Sequence, residues 1–136
     1  HALASSQVIA APDIGWAGAA SEAMLVDPAG LTDPAIALLP GGHTSKSVDP
    51  AMLLDRQVDT VLVYTPPRAV ESRLLHAPLF RERFEAAEKL PLGETATEYV
   101  VFVAGPLRRP HRQRRTLRSW IGTFSMMGSL DAPERR

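Results

Sequence analysis

The amino-acid sequence predicts a single α/β domain: a small mixed or parallel sheet of about four strands with helices packed on its faces. Three observations predict it. Apolar, β-rich runs of strand length, Val61 to Tyr64 and Tyr99 to Ala104, alternate with segments whose apolar residues recur at helical spacing. Proline and glycine, twelve and nine in number, stand at nearly every junction between those segments and mark the chain reversals. The 136 residues, 45% of them hydrophobic, supply one core and are too few for two comfortable ones. Strands separated by helical crossovers then favour a sheet with helices on its faces. The domain is read as residues 1–136, with its core over about 7–105 and a basic amphipathic helix over about 107–128.

The elements follow in chain order. Gln7 to Ala11 reads as a strand closed by Pro12, and Asp13 to Gly18 as the glycine-bearing turn after it. Ala23 to Val26 reads as a second strand that stops at Asp27-Pro28-Ala29-Gly30. Thr32 or Asp33 can cap a short helix whose Pro34 sits where a missing N–H costs nothing, and Asp49-Pro50 repeats the device for a helix over Ala51 to Gln57. Thr60 to Tyr64 is the most buried strand in character. After Pro66-Pro67, the spacing of Leu79, Phe80, Phe84 and Ala87 predicts helix from Ala69 to Lys89, broken near Pro78. Thr97 to Ala104 is the last strand. Leu117, Trp120, Ile121, Phe124 and Met127 recur at offsets of three and four, the pattern of an amphipathic helix.

Composition excludes several functions. With no cysteine, the chain has no disulfide, no thiolate metal site and no cysteine nucleophile. Its apolar runs fall far short of the roughly twenty residues needed to cross a bilayer. It begins at His1 without an initiator Met, which suggests a piece of a longer polypeptide, with His1 to Ala4 read as a vector remnant. There is no Gly-x-Ser-x-Gly elbow and no His-Glu-x-x-His pair, and the four histidines are scattered, so no catalytic residue, metal or cofactor is nominated.

Chemistry is expected at the strand ends. Asp13, Asp27, Asp33 and His43 lie in or beside loops bearing glycine and proline, and in an open α/β sheet those ends are where ligands bind. Neighbouring carboxylates and an imidazole could also divide acid and base roles, which leaves open a small enzyme using Asp27, Asp33 and His43. The competing structural reading is ordinary turn and cap chemistry. Gly41 to Ser47, with Lys46, hints at an anion-touching loop but lacks the spacing of a phosphate-binding one. Gly15 and Gly18 likewise form only part of a dinucleotide fingerprint.

Net charge is zero, but unevenly spread. The sharpest feature is the cluster Arg108, Arg109, Arg112, Arg114, Arg115 and Arg118, which suits anionic lipid or nucleic acid and supports the alternative of a stand-alone binding module. Neutral overall charge and the lack of interleaved aromatics count against nucleic acid.

Asp13-Ile14-Gly15-Trp16, Leu25 to Ala37, Gly42-His43 and Val58 to Val63, continued by Phe80 to Phe84 and Tyr99 to Phe102, occur in an order that resembles a known family. The order resembles the soluble extracytoplasmic C-terminal region of polytopic membrane glycosyltransferases of the dolichyl-phosphate-mannose-protein mannosyltransferase type. The resemblance implies an accessory domain on the extracytoplasmic, periplasmic side of a membrane, without enzymatic activity in isolation. Its implied partners are the membrane-embedded part of the parent protein and a lipid-linked sugar. The resembling loops contain Asp27, Asp33 and His43, to which no catalytic role is carried over. The Arg-rich segment after Pro106 is not explained by the resemblance.

Overall fold

The structure is a computed structural model and describes residues 2–94 and 96–105. Over the described residues it is a mixed α/β domain built on a five-stranded sheet. The strands are β1 (Val8–Ala10), β2 (Met24–Val26), β3 (Thr60–Thr65), β4 (Phe84–Pro91) and β5 (Glu98–Ala104), in the order β2-β1-β3-β5-β4. β1 pairs in parallel with both β2 and β3, and β5 runs antiparallel between β3 and β4.

The helices are α1 (Ile14–Ala20), α2 (Pro34–Ala37), α3 (Pro50–Asp55), α4 (Ala69–His76) and α5 (Pro78–Arg83). α2 and α3 start as their Asp-Pro signals require. Asp33 accepts the N–H groups of Ala35 and Ile36, Asp49 accepts that of Ala51, and each following proline occupies the first helical turn.

The alternation along each strand divides the core in two. On one face Val8, Ala10, Val61 and Val63 pack with Ile36, Leu53, Val70, Leu74 and Phe80 from α2 to α5. On the other, Ile9, Leu62, Tyr99 and Val101 pack with Ala17 of α1 and with Leu3. Leu3 belongs to a 3₁₀ turn, Ala2–Ser5, and its fully buried side chain is part of this second core.

Two local expectations are corrected. The segment Asp13 to Gly18 is not a turn: it leads straight into α1, which fits against the sheet because Gly18 lets the Leu25 side chain come within 3.3 Å of where a Cβ would stand. The helix expected through Lys89 ends at Arg83, and Phe84–Pro91 is strand. Its alanines, glutamates and lysine favour helix locally, but β5 offers a full ladder of partners from Phe84↔Ala104 to Pro91↔Glu98, interrupted by a bulge between Ala86 and Glu88. Without β4, β5 would present its apolar residues on an open edge. The Phe80–Phe84 spacing that suggested helix is honoured as a ring stack with centroids 4.9 Å apart. The helix expected over about 107–128 and the Arg108 to Arg118 cluster lie outside the described residues. Among those described, no helix is long and apolar enough to cross a membrane.

Candidate functional site

Because β1, β2 and β3 are parallel, their C-terminal ends emerge at one edge of the sheet. β1 connects to β2 through α1 on one face, and β2 connects to β3 through α2 and α3 on the other. The chain therefore changes faces between β1 and β3, the position at which open α/β sheets form a crevice. β3 continues from Val61, the partner of Ala10, to Thr65, which carries Tyr64 and the following Arg68 over the turn after β1. A cleft of about 150 Å³ lies there, lined by Pro12, Asp13, Ala29, Leu31, His43, Thr44 and Arg68.

Arg68 organises this rim. Its Nη1 and Nη2 donate to the two oxygens of Asp13 at 3.0 and 2.8 Å, while Nε and Nη2 donate to Glu71 at 2.9 Å each. Both contacts are forked, the geometry in which a guanidinium binds carboxylates best. Glu71 is fully buried, and its oxygens also accept the backbone N–H groups of Tyr64 and Arg68 at 2.8 Å. A buried charge thereby gains the partners it requires. The Tyr99 hydroxyl donates to Asp13 Oδ2. Trp16 stacks on Tyr99 with centroids 4.9 Å apart, Tyr64 meets Tyr99 edge-on, and the guanidinium lies 5.2 Å from the Tyr64 ring centre.

Charge states follow from these contacts. Hydrogen bonds from Arg68 hold the Asp13 carboxyl below its ordinary range, against the opposing pull of burial and with help from Tyr99. Hydrogen bonding to Glu71 raises the Arg68 value, again against burial, with Asp13 adding to it. Burial raises the Tyr99 phenol, and its bond to the Asp13 carboxylate raises it further. The cluster is thus an ionised Asp13–Arg68 pair beside a neutral tyrosine, with the guanidinium also bonded to Glu71.

The other residues expected at the rim are placed differently from one another. His43 is exposed and lines the cleft. Asp27 is buried and accepts the N–H groups of Ala29 and Thr32, both at 2.8 Å, and that of Leu31, so its carboxylate shapes the loop whose Ala29 and Leu31 reach the cleft. Asp33 caps α2 and pairs with Arg56 Nε at 2.9 Å. Burial pushes its carboxyl up, and Arg56 with the Ile36 and Ala35 N–H groups outweighs that to leave it lowered. Lys46 is buried and donates Nζ to the carbonyls of Ala37 and Leu39 at 2.6 and 2.9 Å, closing the end of α2. Asp13 and His43 are therefore brought together, while Asp27, Asp33 and Lys46 build the loops around them.

Arg68, Glu71 and Tyr99 were not anticipated from the sequence. Glu71 three residues after Arg68, just past Pro66-Pro67, is the spacing of a helix start and could have drawn notice to the pair. A larger hollow of about 310 Å³, lined by Leu3, Ala4, Trp16, Ala20, Leu90 and Pro91, carries no charged side chain to orient a ligand. Among the described residues no group of three or more His, Asp or Glu is arranged to hold a metal.

The fold and rim define a small α/β domain with a cleft of about 150 Å³ at its parallel strand ends. The chain belongs to the family described as a domain of unknown function, DUF8728, whose model matches residues 1–117. No curated protein and no solved structure matches it.

Proposed function

We propose that this chain is an accessory domain of a membrane glycosyltransferase-like protein, held on the extracytoplasmic side against the membrane-embedded part. It contacts a lipid-linked sugar or that partner through the strand-end rim and is not catalytic alone. The observation that carries the reading is the cleft between β1, β2 and β3, in which Asp13, His43, Thr44 and Arg68 converge from three separate loops. At about 150 Å³ it is smaller than the roughly 300–1,000 Å³ of a self-sufficient ligand pocket, so it suits one group of a larger ligand whose remainder is held elsewhere. The engagement of Asp27 and Asp33 with backbone and Arg56 supports the non-catalytic part of the reading over a small enzyme built on those carboxylates.

The test uses the absence of cysteine. Leu38 is 89% exposed, so Leu38→Cys adds a single accessible thiol to this chain without disturbing its core. In intact cells carrying the full-length protein, a membrane-impermeant maleimide is expected to label it before lysis. Labelling only after lysis would overturn the sidedness. A full-length gene without hydrophobic segments of about twenty residues would remove the membrane parent.

A further inference from the structure

We propose that the cleft receives an uncharged, hydroxyl-bearing group, such as the vicinal hydroxyls of a sugar or other polyol, on Asp13, and that it rejects anions. The inference rests on the rim being a ligand-facing edge and specifies what that edge takes.

Among the described residues Arg68 is the one Lys or Arg in the lining, and its charge is already shared. Four hydrogen bonds to Asp13 and Glu71 leave one guanidinium against two carboxylates, a cluster of net charge −1. Several backbone donors around the cleft are engaged as well. The N–H of Arg68 goes to Glu71 and that of Val70 to the Thr44 carbonyl, at the start of α4. Within the Gly41 to Ser47 loop, Gly42 donates to Ser45 Oγ, Ser45 to the Gly42 carbonyl and Ser47 to the Pro40 carbonyl. In the loop after β2, the N–H groups of Ala29, Leu31 and Thr32 go to Asp27. After β1, where related sheets present a glycine turn to a phosphate, this chain has Pro12, which lacks an N–H, and the carboxylate of Asp13. An anion entering the cleft meets a negative charge and finds these donors occupied.

A hydroxyl group fits the same lining. Among the described residues Asp13 Oδ1 accepts one bond, from Arg68 Nη1, and the Asp13 side chain is 38% exposed, so the carboxylate keeps acceptor capacity beside the cleft. The four Arg68 contacts use four of five guanidinium N–H groups, and the fifth suits the oxygen of a hydroxyl. Thr44 and His43 can each donate or accept, which a hydroxyl, itself both donor and acceptor, answers in either direction. Pro12, Ala29 and Leu31 supply an apolar wall for the carbons. At about 30 Å³ per water, the cleft holds roughly five waters, enough for a pair of hydroxyls and their carbons.

The 136-residue chain, labelled with nitrogen-15, would be titrated separately with a methyl hexopyranoside, glycerol, inorganic phosphate and ethanolamine while the amides of Leu31, Thr44 and Arg68 are followed. The expected result is saturable shifts at these amides with the glycoside, glycerol separating sugars from polyols in general, and none with phosphate or ethanolamine. Asp13→Asn is expected to weaken glycoside binding by about tenfold, the size of one charge-assisted bond. Leu31→Trp, which leaves the Arg68 network untouched, is expected to fill the cleft and abolish the shifts. Phosphate or ethanolamine moving these amides in preference to the polyols would overturn the ligand class while keeping the cleft as a site. Polyol shifts that survive Leu31→Trp would overturn the location. Silence towards all four probes would sink both the inference and the ligand-facing rim, whereas the sidedness of the domain is read independently by thiol labelling.

Discussion

The turns after β1 and β2 begin alike and end differently. Each places an aspartate just past a parallel strand, and each aspartate lies beside a proline. Asp27 turns inward and gives its oxygens to the N–H groups of residues two, four and five positions ahead, so it makes its own loop. Asp13 makes no side-chain cap for α1 and reaches instead to Arg68 and Tyr99, 55 and 86 residues away. A carboxylate absorbed by its own turn sets backbone shape. One satisfied by distant partners, and still partly exposed, is available to a ligand.

The sharpest break of this comparison is Asp27→Ala, which leaves the buried N–H of Ala29 and the part-buried ones of Leu31 and Thr32 without an acceptor. A loss of about 3 kcal/mol is expected in denaturant unfolding. A loss below about 1 kcal/mol would mean that the loop is held by something other than this carboxylate.

Two glycines test the same loops with opposite sign. Gly30 has φ +74°, and a Cβ there would stand 2.8 Å from the Ala37 backbone nitrogen, so Gly30→Ala is expected to cost about 2 kcal/mol. Gly15 lies in α1 with nothing within 4 Å of an added Cβ, and Gly15→Ala is expected to stabilise by about 0.5 kcal/mol. Thermal midpoints moving apart in these directions would confirm that the loop after β2, and not the start of α1, is the sterically fixed one.

The smallest loss of stability is that of Asp13→Asn, about 1 kcal/mol once solvent screening of a partly exposed pair is allowed for. Its pH signature is more telling. Because the folded Asp13 carboxyl lies below its ordinary value, its stabilisation is present above about pH 4 and is lost as pH falls through the lowered value. The stability gap between the natural chain and Asp13→Asn is therefore expected to close on acidification below that point. A gap that stays constant would show that the Asp13–Arg68 pair carries no net stabilisation.

Much of the fold was legible from local pattern. Val61 to Tyr64 and Tyr99 to Ala104 are strands because β-branched and aromatic residues fit a pleated, buried surface, and Asp33-Pro34 and Asp49-Pro50 start helices because their hydrogen bonds close within three residues. β4 was not legible. Phe84–Pro91 contains good helix formers, and only pairing with β5 turns it to strand. At the site, the sequence pointed to the strand ends and to Asp13 and His43, but it could not separate these from Asp27, Asp33 and Lys46.

The sequence by itself determined where the chain turns, which runs are buried and which aspartates cap their own neighbours, because those interactions close within a few residues. Only the tertiary structure decided that three strand ends share one edge and that Arg68 stands between a buried Glu71 and a partly exposed Asp13 under Tyr99. Contacts between residues so far apart in the chain depend on strand order, and strand order is set by how the two faces of the sheet are covered, which no local pattern encodes.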